Sequence, residues 1–232
     1  SGSDPRFQFT NGDTSSIEAW VRCEALPTGR FQYLIGKGRT SRSGYPPDNQ
    51  NWALRLYGNK GLAQLSFLFR SAGEDGTYHR WTSSRGFSPG RRWHHVALTY
   101  TFGVPESVQG WIDGRRSEGG WDKSGATTRP PVVDDDEVWI GSARGGAGES
   151  TLHGALAGLA LYRAALPEDE LRTRYRVQGG LPAVDPSTLP AGTVRMELYE
   201  SDSGRTEWPI DPGPPLRVLD TRALALFRLP TH

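Results

Sequence analysis

The feature that most constrains the fold is a period of two in the apolar residues of several separate segments. Side chains in a β-strand point alternately to opposite faces, so this period is typical of strands buried on one side. The alternating sets are Ile17, Ala19 and Val21; Trp52, Leu54 and Leu56; Leu65, Phe67 and Phe69; His94, Val96, Leu98 and Tyr100; and Leu159 with Leu161. Each apolar face needs a covering layer, which predicts two antiparallel sheets packed face to face.

Turns and a single helix complete the predicted pattern. The Asp113-Gly114 pair suits the type I′ turn of a β-hairpin. Pro167 stands where a helix can begin without losing a hydrogen bond, and the acidic residues 168–170 favour the positive end of its dipole. Three arginines, Arg172, Arg174 and Arg176, follow near the opposite end. One short structural helix is therefore expected after the last strand.

The order of the segments carries a family resemblance. The chain runs through S-I-E-A-W-V-R (16–22), W-H-H-V-A-L-T-Y (93–100), W-I-D-G-R-R (111–116), V-W-I-G-S (138–142) and L-H-G-A-L-A-G-L-A-L-Y (152–162). Over roughly residues 7–176 it resembles the laminin-G-like, concanavalin A-like lectin/glucanase jelly-roll family. The resemblance implies an all-β, two-sheet antiparallel jelly-roll sandwich with one short C-terminal helix and a small β extension. This architecture hosts lectins, adhesion modules, glucanases and spacers, so it implies a fold more strongly than a function.

Composition changes along the chain suggest three segments. We expect the jelly roll to occupy residues 1–177 and a Pro- and Gly-rich linker to occupy residues 178–192. Short alternating runs in residues 193–232 predict a β extension or the start of a following domain. The chain begins S-G-S-D-P and ends within a pattern, so we expect a piece of a longer multidomain protein. An extracellular or periplasmic location is implied by the family resemblance alone.

Charge and cysteine content exclude some classes of partner. Lys and Arg number 27 against 26 Asp and Glu, so the net charge is +1 and no basic field for nucleic acid is expected. No apolar run approaches the roughly 20 residues of a membrane span. Cys23 is the only cysteine, so an intramolecular disulfide is impossible, and a small buried side chain is the expected role.

Catalytic acids are not predicted. Glucanases of this family share an E-x-D-x-x-E strand, which places two carboxylates about 5–5.5 Å apart on one face. No such strand occurs here, and the acidic residues 134–137 are contiguous, so they cannot all face one cleft. We therefore expect no enzyme, with glycoside hydrolysis as the least favoured alternative.

Metal and cofactor sites are not expected either. His94 and His95 are adjacent in a strand and must point to opposite faces, with His94 a hydrogen-bonded core residue. The resemblance places calcium-binding acids at Ala157 and Gly158, which carry no oxygen ligand. Asn11, Asp13 and residues 134–136 offer an alternative oxygen set, but a solvated acidic loop is the favoured interpretation.

Surplus aromatic residues suggest a binding surface. The candidate ligand-binding residues are Trp81, Gln109, Trp111 and Trp121, with Arg39, Arg42, Tyr45 and Asp48 in the long connection at 38–51. Trp81 and Trp111 alternate with other residues of their strands and are expected to face away from the core, and Trp121 is expected in a loop. The alternatives are rings that cover the second side of a sheet and a mobile, solvated loop.

These observations favour a noncatalytic recognition module for a glycan or a protein surface. The alternative is a structural spacer without a ligand that positions neighbouring domains of the parent chain. Sequence does not separate the two, because modest apolar patches fit both.

Overall fold

The computed structural model describes residues 4–38, 49–74, 76–143 and 150–176, with the backbone of 194–195 and 225–227. It confirms an all-β jelly-roll sandwich with one short helix, α1, at Glu168–Arg176. Two 3-10 turns lie at Pro5–Phe7 and Pro105–Ser107. The strands are β1 (Thr14–Cys23), β2 (Phe31–Gly38), β3 (Gln50–Asn59), β4 (Leu62–Arg70), β5 (Tyr78–Phe87), β6 (His94–Thr101), β7 (Gln109–Ile112), β8 (Arg115–Ser117), β9 (Gly119–Lys123), β10 (Val138–Ile140), β11 (Gly154–Tyr162), β12 (Val194–Arg195) and β13 (Ala225–Phe227).

The strands form two sheets. One has seven strands in the order β12-β13-β11-β1-β6-β7-β8, and the other has six in the order β10-β2-β3-β4-β5-β9. The strands of the jelly roll pair antiparallel, and β13 extends the first sheet by pairing antiparallel with β11. Strand β12 joins β13 in parallel. The domain boundaries at 177 and 192 stay predictions.

The core lies between the sheets, on the faces that the alternation predicts. Ile17, Leu54, Phe67 and Leu98 are each at most 1% exposed and belong to one cluster. Cys23 is buried at its edge as a free thiol, as expected from sequence, and burial raises its pKa to about 11. The period of two therefore identified five strands of the sandwich: β1, β3, β4, β6 and β11.

Helix α1 packs on the outer face of the seven-stranded sheet through a buried charged network. Leu171 is fully buried there, and Arg174 is 4% exposed. The Arg174 guanidinium donates to Oε1 of Glu18 at 2.6 Å and to the Tyr162 hydroxyl at 2.9 Å. Tyr162 in turn donates its hydroxyl proton to Oε1 of Glu18 at 2.6 Å. Because Glu18 is in the middle of β1, this network fixes the helix to the sheet.

Candidate functional site

Two tryptophans that were expected on the surface are buried. Trp81 is 2% exposed and Trp111 is 1% exposed. Trp81 of β5 is opposite Phe67 of β4 and faces the core between the sheets. Trp111 does point away from that core, but helix α1 covers it, and it packs in one cluster with Leu171. The prediction that Trp81 faces away from the core is therefore wrong. Trp111 faces away as predicted, but it is covered, which matches the alternative of a ring that covers the second side of a sheet.

The other predicted residues do not complete a common site. Trp121 lies in strand β9 rather than in a loop, packs against the core and donates its ring N–H to the Pro105 carbonyl at 3.2 Å. It neighbours Trp81 across β5 and β9, whereas the half-buried Gln109 lies beside Trp111 in the other sheet. Arg39, Arg42, Tyr45 and Asp48 lie outside the described residues. A binding role for these positions stays a prediction.

The acidic segment at 134–136 is not simply solvated, contrary to the sequence expectation. Fully buried Lys37 donates from Nζ to the carbonyl oxygens of Asp134 at 2.8 Å and Asp136 at 2.6 Å. Its Nζ is also 3.6 Å from the Asp134 carboxylate. Asp136 is buried, and both of its carboxyl oxygens lack a hydrogen-bond partner in the described part of the chain. Burial and the nearby Asp134 charge raise the pKa of Asp136 to about 6.

The remaining residues considered for metal binding interact with protein groups. Asn11 donates to the Thr128 carbonyl at 2.7 Å, and Asp13 is 2.7 Å from the Arg163 guanidinium. His94 and His95 lie on opposite faces of β6, as predicted; His94 stacks on Phe87, and His95 is 3.4 Å from Glu18. Within the residues that the structure describes, no three His, Cys, Asp or Glu side chains are grouped to hold a metal ion.

A concave site that the sequence interpretation missed lies between α1 and the β7–β8 hairpin. It is a cleft with a volume of about 610 Å³. The described residues that line it are Arg85, Asp113, Gly114, Arg115, Arg116, Arg172, Tyr175 and Arg176. Five of these eight are arginines and one is acidic. We call this site the arginine cleft.

Backbone pairing brings the strand arginines of the arginine cleft together. Arg115 and Arg116 follow the hairpin turn, where Asp113 and Gly114 have φ of 52° and 68°, as a type I′ turn requires. Arg85 comes from the other sheet, and its N–H donates to the Ser117 hydroxyl at 3.0 Å. This contact ties the end of β5 to β8 and places the three arginines at one rim.

Helix α1 supplies the opposite wall of the arginine cleft. Tyr175 stacks on Trp20 with 6.0 Å between ring centroids and 22° between ring planes. Arg172 and Arg176 are one turn apart on the helix, so both can lie beside Tyr175. The buried Arg174 network holds this wall against the sheet.

Replacing Gly114 with alanine should disturb this wall and lower the free energy of unfolding by about 2–4 kcal/mol. A Cβ at Gly114 would lie 2.7 Å from Cδ1 of Tyr175, and the φ of +68° disfavours any side chain. Gly61→Ala is the matched control, because Gly61 also has a positive φ of +79° but open space around a Cβ. Urea unfolding should show the smaller loss for Gly61→Ala; equal losses would mean that the Tyr175 contact is unimportant.

The arginine cleft carries an uncompensated positive charge. Arg172 pairs with Glu168 at 2.5 Å. Among the described residues, the other four arginines, Arg85, Arg115, Arg116 and Arg176, have no carboxylate within 4.0 Å, and all four are exposed. Unpaired guanidinium groups present planar forks of donors that match carboxylate, sulfate and phosphate groups. The arginine cleft therefore has the donor groups that an anion could accept hydrogen bonds from.

Asp113 is the acidic residue in this basic surrounding, and histidines hold it in place. Its Oδ2 is 2.7 Å from Nδ1 of His94, and its Oδ1 accepts the His95 N–H at 3.0 Å. Burial favours the neutral carboxyl, but these hydrogen bonds outweigh it and hold the pKa of Asp113 below its usual range. Asp113 is therefore an oriented, ionised acceptor.

Comparison with known sequences places most of the chain in one family. The model of the concanavalin A-like lectin/glucanases superfamily matches residues 3–172. No curated protein matches the chain by sequence. In the described part of the chain, no helix has the length and apolar character needed to cross a membrane.

Solved structures with a similar fold include carbohydrate-binding proteins. A Bacteroides ovatus protein with a proposed carbohydrate-binding role is 18% identical over 71% of this chain and 41% of its own, with a TM-score of 0.46. The Ruminococcus gnavus IT-sialidase CBM40 is 18% identical over 71% of this chain and 84% of its own, with a TM-score of 0.48. Trypanosoma rangeli sialidase in complex with 2,3-difluorosialic acid is 18% identical over 71% of this chain and 23% of its own, with a TM-score of 0.46. The chain thus spans less than half of the first and third proteins, and the likeness is one of fold.

Proposed function

The chain belongs to the concanavalin A-like lectin/glucanases superfamily, and from that premise we propose that it is a noncatalytic module that recognises an acidic carbohydrate. The proposed site is the arginine cleft. The observation that carries this proposal is the convergence of five arginines around Tyr175, four of them without a carboxylate partner in the described part of the chain. A net charge of only +1 shows that this charge is local rather than a property of the whole surface.

The chemistry of the arginine cleft favours a charged sugar. Guanidinium groups bind sulfate or carboxylate substituents through paired hydrogen bonds. Tyr175 stacks on Trp20, is partly exposed and lines the arginine cleft, so the exposed part of its ring can pack against apolar ligand groups at little cost in side-chain entropy. An anionic saccharide offers both kinds of group.

The small number of carboxyl side chains in the arginine cleft supports a noncatalytic role. Hydrolysis of a glycosidic bond uses two carboxyl groups in most families, one as acid and one as nucleophile or base. Asp113 is the only acidic residue among the described residues that line the cleft. Its pKa is held low, which suits an acceptor and not a proton donor.

The setting of the module is also a proposal. We infer that it works within a larger exported protein, with the Pro- and Gly-rich residues 178–192 as a linker. In one cleft, four exposed arginines have no acidic partner among the described residues. A spacer without a ligand does not account for this grouping, so recognition is the favoured function.

Titration calorimetry with heparin, polygalacturonate and neutral amylose tests the proposal. We expect the two acidic polysaccharides to bind and amylose not to bind, with affinity falling as salt rises because the charges are exposed. The double variant Arg116→Gln/Arg176→Gln should weaken binding about 100-fold, since each lost charged hydrogen bond is worth about tenfold.

The matched control is Arg129→Gln, which removes an exposed arginine that does not line the arginine cleft. It should bind like the wild type. Equal binding of amylose and heparin, or a double variant that binds as well as the wild type, would contradict the proposal.

A further inference from the structure

The carboxylate of Asp113 lines the arginine cleft, but its partners are histidines and not the arginines of the cleft. Asp113 lines the arginine cleft, and the groups that bond its oxygens are His94 and the His95 N–H. Among the described residues, none of the five cleft arginines is within 4.0 Å of it. A carboxylate added only to balance charge would form an ion pair with one of them.

We propose that Asp113 determines specificity, by accepting a hydrogen bond from a hydroxyl group of the ligand. The arginine cleft would then select anionic saccharides that keep free hydroxyl groups and disfavour ligands whose polar groups are all anionic. This inference rests on the acidic-carbohydrate function proposed above and names the substituent pattern that the site selects.

The hydrogen-bonding capacity of Asp113 supports this role. An ionised carboxylate has about four lone-pair positions. His94 and the His95 N–H use one on each oxygen, and the side chain is 24% exposed, so positions remain open towards the arginine cleft. A sugar hydroxyl can donate to such an oxygen, whereas a sulfate ester has no proton to donate.

The position of Asp113 also supplies discrimination against the wrong ligand. The histidine contacts and the hairpin turn hold it in place, so it cannot swing away from an approaching anion. Its low pKa keeps it charged at neutral pH. A sulfate placed against it would meet a fixed like charge, and a repulsive element of this kind sharpens selectivity as much as an attractive one.

Two maltohexaose derivatives test the proposal on one sugar backbone. One is partially O-sulfated and keeps free hydroxyl groups, and the other is fully O-sulfated. If charge alone controlled binding, the fully sulfated form would bind the wild type more tightly. We expect the reverse order in titration calorimetry at a fixed salt concentration, with the partially sulfated form about tenfold tighter.

The variant Asp113→Asn should reverse the order of affinity of the two maltohexaose derivatives. Asparagine tolerates the positive φ of 52° and keeps an oxygen for the His95 N–H. The variant should bind the partially sulfated probe more weakly than the wild type does, and the fully sulfated probe more tightly. A wild type that prefers the fully sulfated probe would overturn the inference whether or not the variant folds, and so would a variant that changes both affinities in the same direction. Failure of the proposed function is a separate result, in which neither probe binds the wild type.

Discussion

Replacing Arg174 with methionine is expected to lower the free energy of unfolding by about 3–5 kcal/mol at neutral pH. The reason is the buried Glu18 carboxylate, which is 4% exposed and would lose the guanidinium 2.6 Å away. Equilibrium unfolding in urea measures the effect, with Thr173→Ala on the exposed face of the same helix as the control. The same substitution should weaken ligand binding, because the helix carries Arg172, Tyr175 and Arg176.

The pH dependence of this loss follows from the pKa of Glu18. Burial favours the neutral carboxyl, but the His95 hydrogen bond and the Arg174 charge hold the pKa of Glu18 below its usual range. A lowered carboxyl pKa contributes stability above the unfolded-state value near 4.5, and this contribution disappears as pH falls through the folded-state pKa. The difference between wild type and Arg174→Met should therefore shrink in acid.

A second substitution separates charge from packing. In Glu18→Gln/Arg174→Met the buried carboxylate is absent as well as the guanidinium, and the carboxylate that still loses Arg174 is that of the partly exposed Glu170. Most of the lost stability should therefore return. If the double variant is as unstable as Arg174→Met, the loss comes from packing around Leu171 and not from the ion pair.

The fold was predictable because its physical cause is local. A strand with one buried face must alternate, so the sets around Ile17, Leu54 and Phe67 identify the sandwich without any knowledge of contacts. The turn at Asp113-Gly114 was predictable for the same reason, since a type I′ turn needs two positive φ values.

The positions of the tryptophans show where local reasoning ends. Alternation tells which residues share a face and not which face meets the core, so Trp81 was assigned to the wrong side. Trp111 was placed correctly away from the core, but the layer that covers it is a helix some 60 residues later in the chain. Both errors concern long-range packing, on which the period of two carries no information.

The arginine cleft was not predictable from spacing, because its members come from three distant parts of the chain. Arg85 reaches Arg115 and Arg116 through the bond from its N–H to Ser117 between the two sheets. The available clue was a local excess of arginine in two segments: Arg115 and Arg116 after the hairpin turn, and Arg172 and Arg176 on the helix. It did not reveal that the two segments meet.

Replacing Lys37 with methionine is the second substitution with a large expected effect, a loss of about 3–5 kcal/mol at pH 7.5. Lys37 is fully buried, and its ammonium group satisfies the carbonyl oxygens of Asp134 and Asp136. Without it, both carbonyls lose a donor and two neighbouring carboxylates lose their positive charge. Lys123→Met is the matched control, because Lys123 is exposed and its ammonium group lies over the Tyr78 ring.

The loss of stability in Lys37→Met should be smaller at pH 5. The pKa of Asp136 is shifted upwards, whereas that of Glu18 is shifted downwards. The pKa of Asp136 is raised from the unfolded-state value near 3.8 to about 6 in the folded protein. Ionisation of Asp136 therefore destabilises the fold, and the free energy of unfolding falls as pH rises from about 3.8 through 6. At pH 5 Asp136 is mostly protonated and needs no cation. Adding Asp136→Asn to Lys37→Met should therefore restore stability at pH 7.5 and change little at pH 5. A loss that is the same at both pH values, or a second substitution without effect at pH 7.5, would show that Lys37 stabilises the segment through its carbonyl contacts alone.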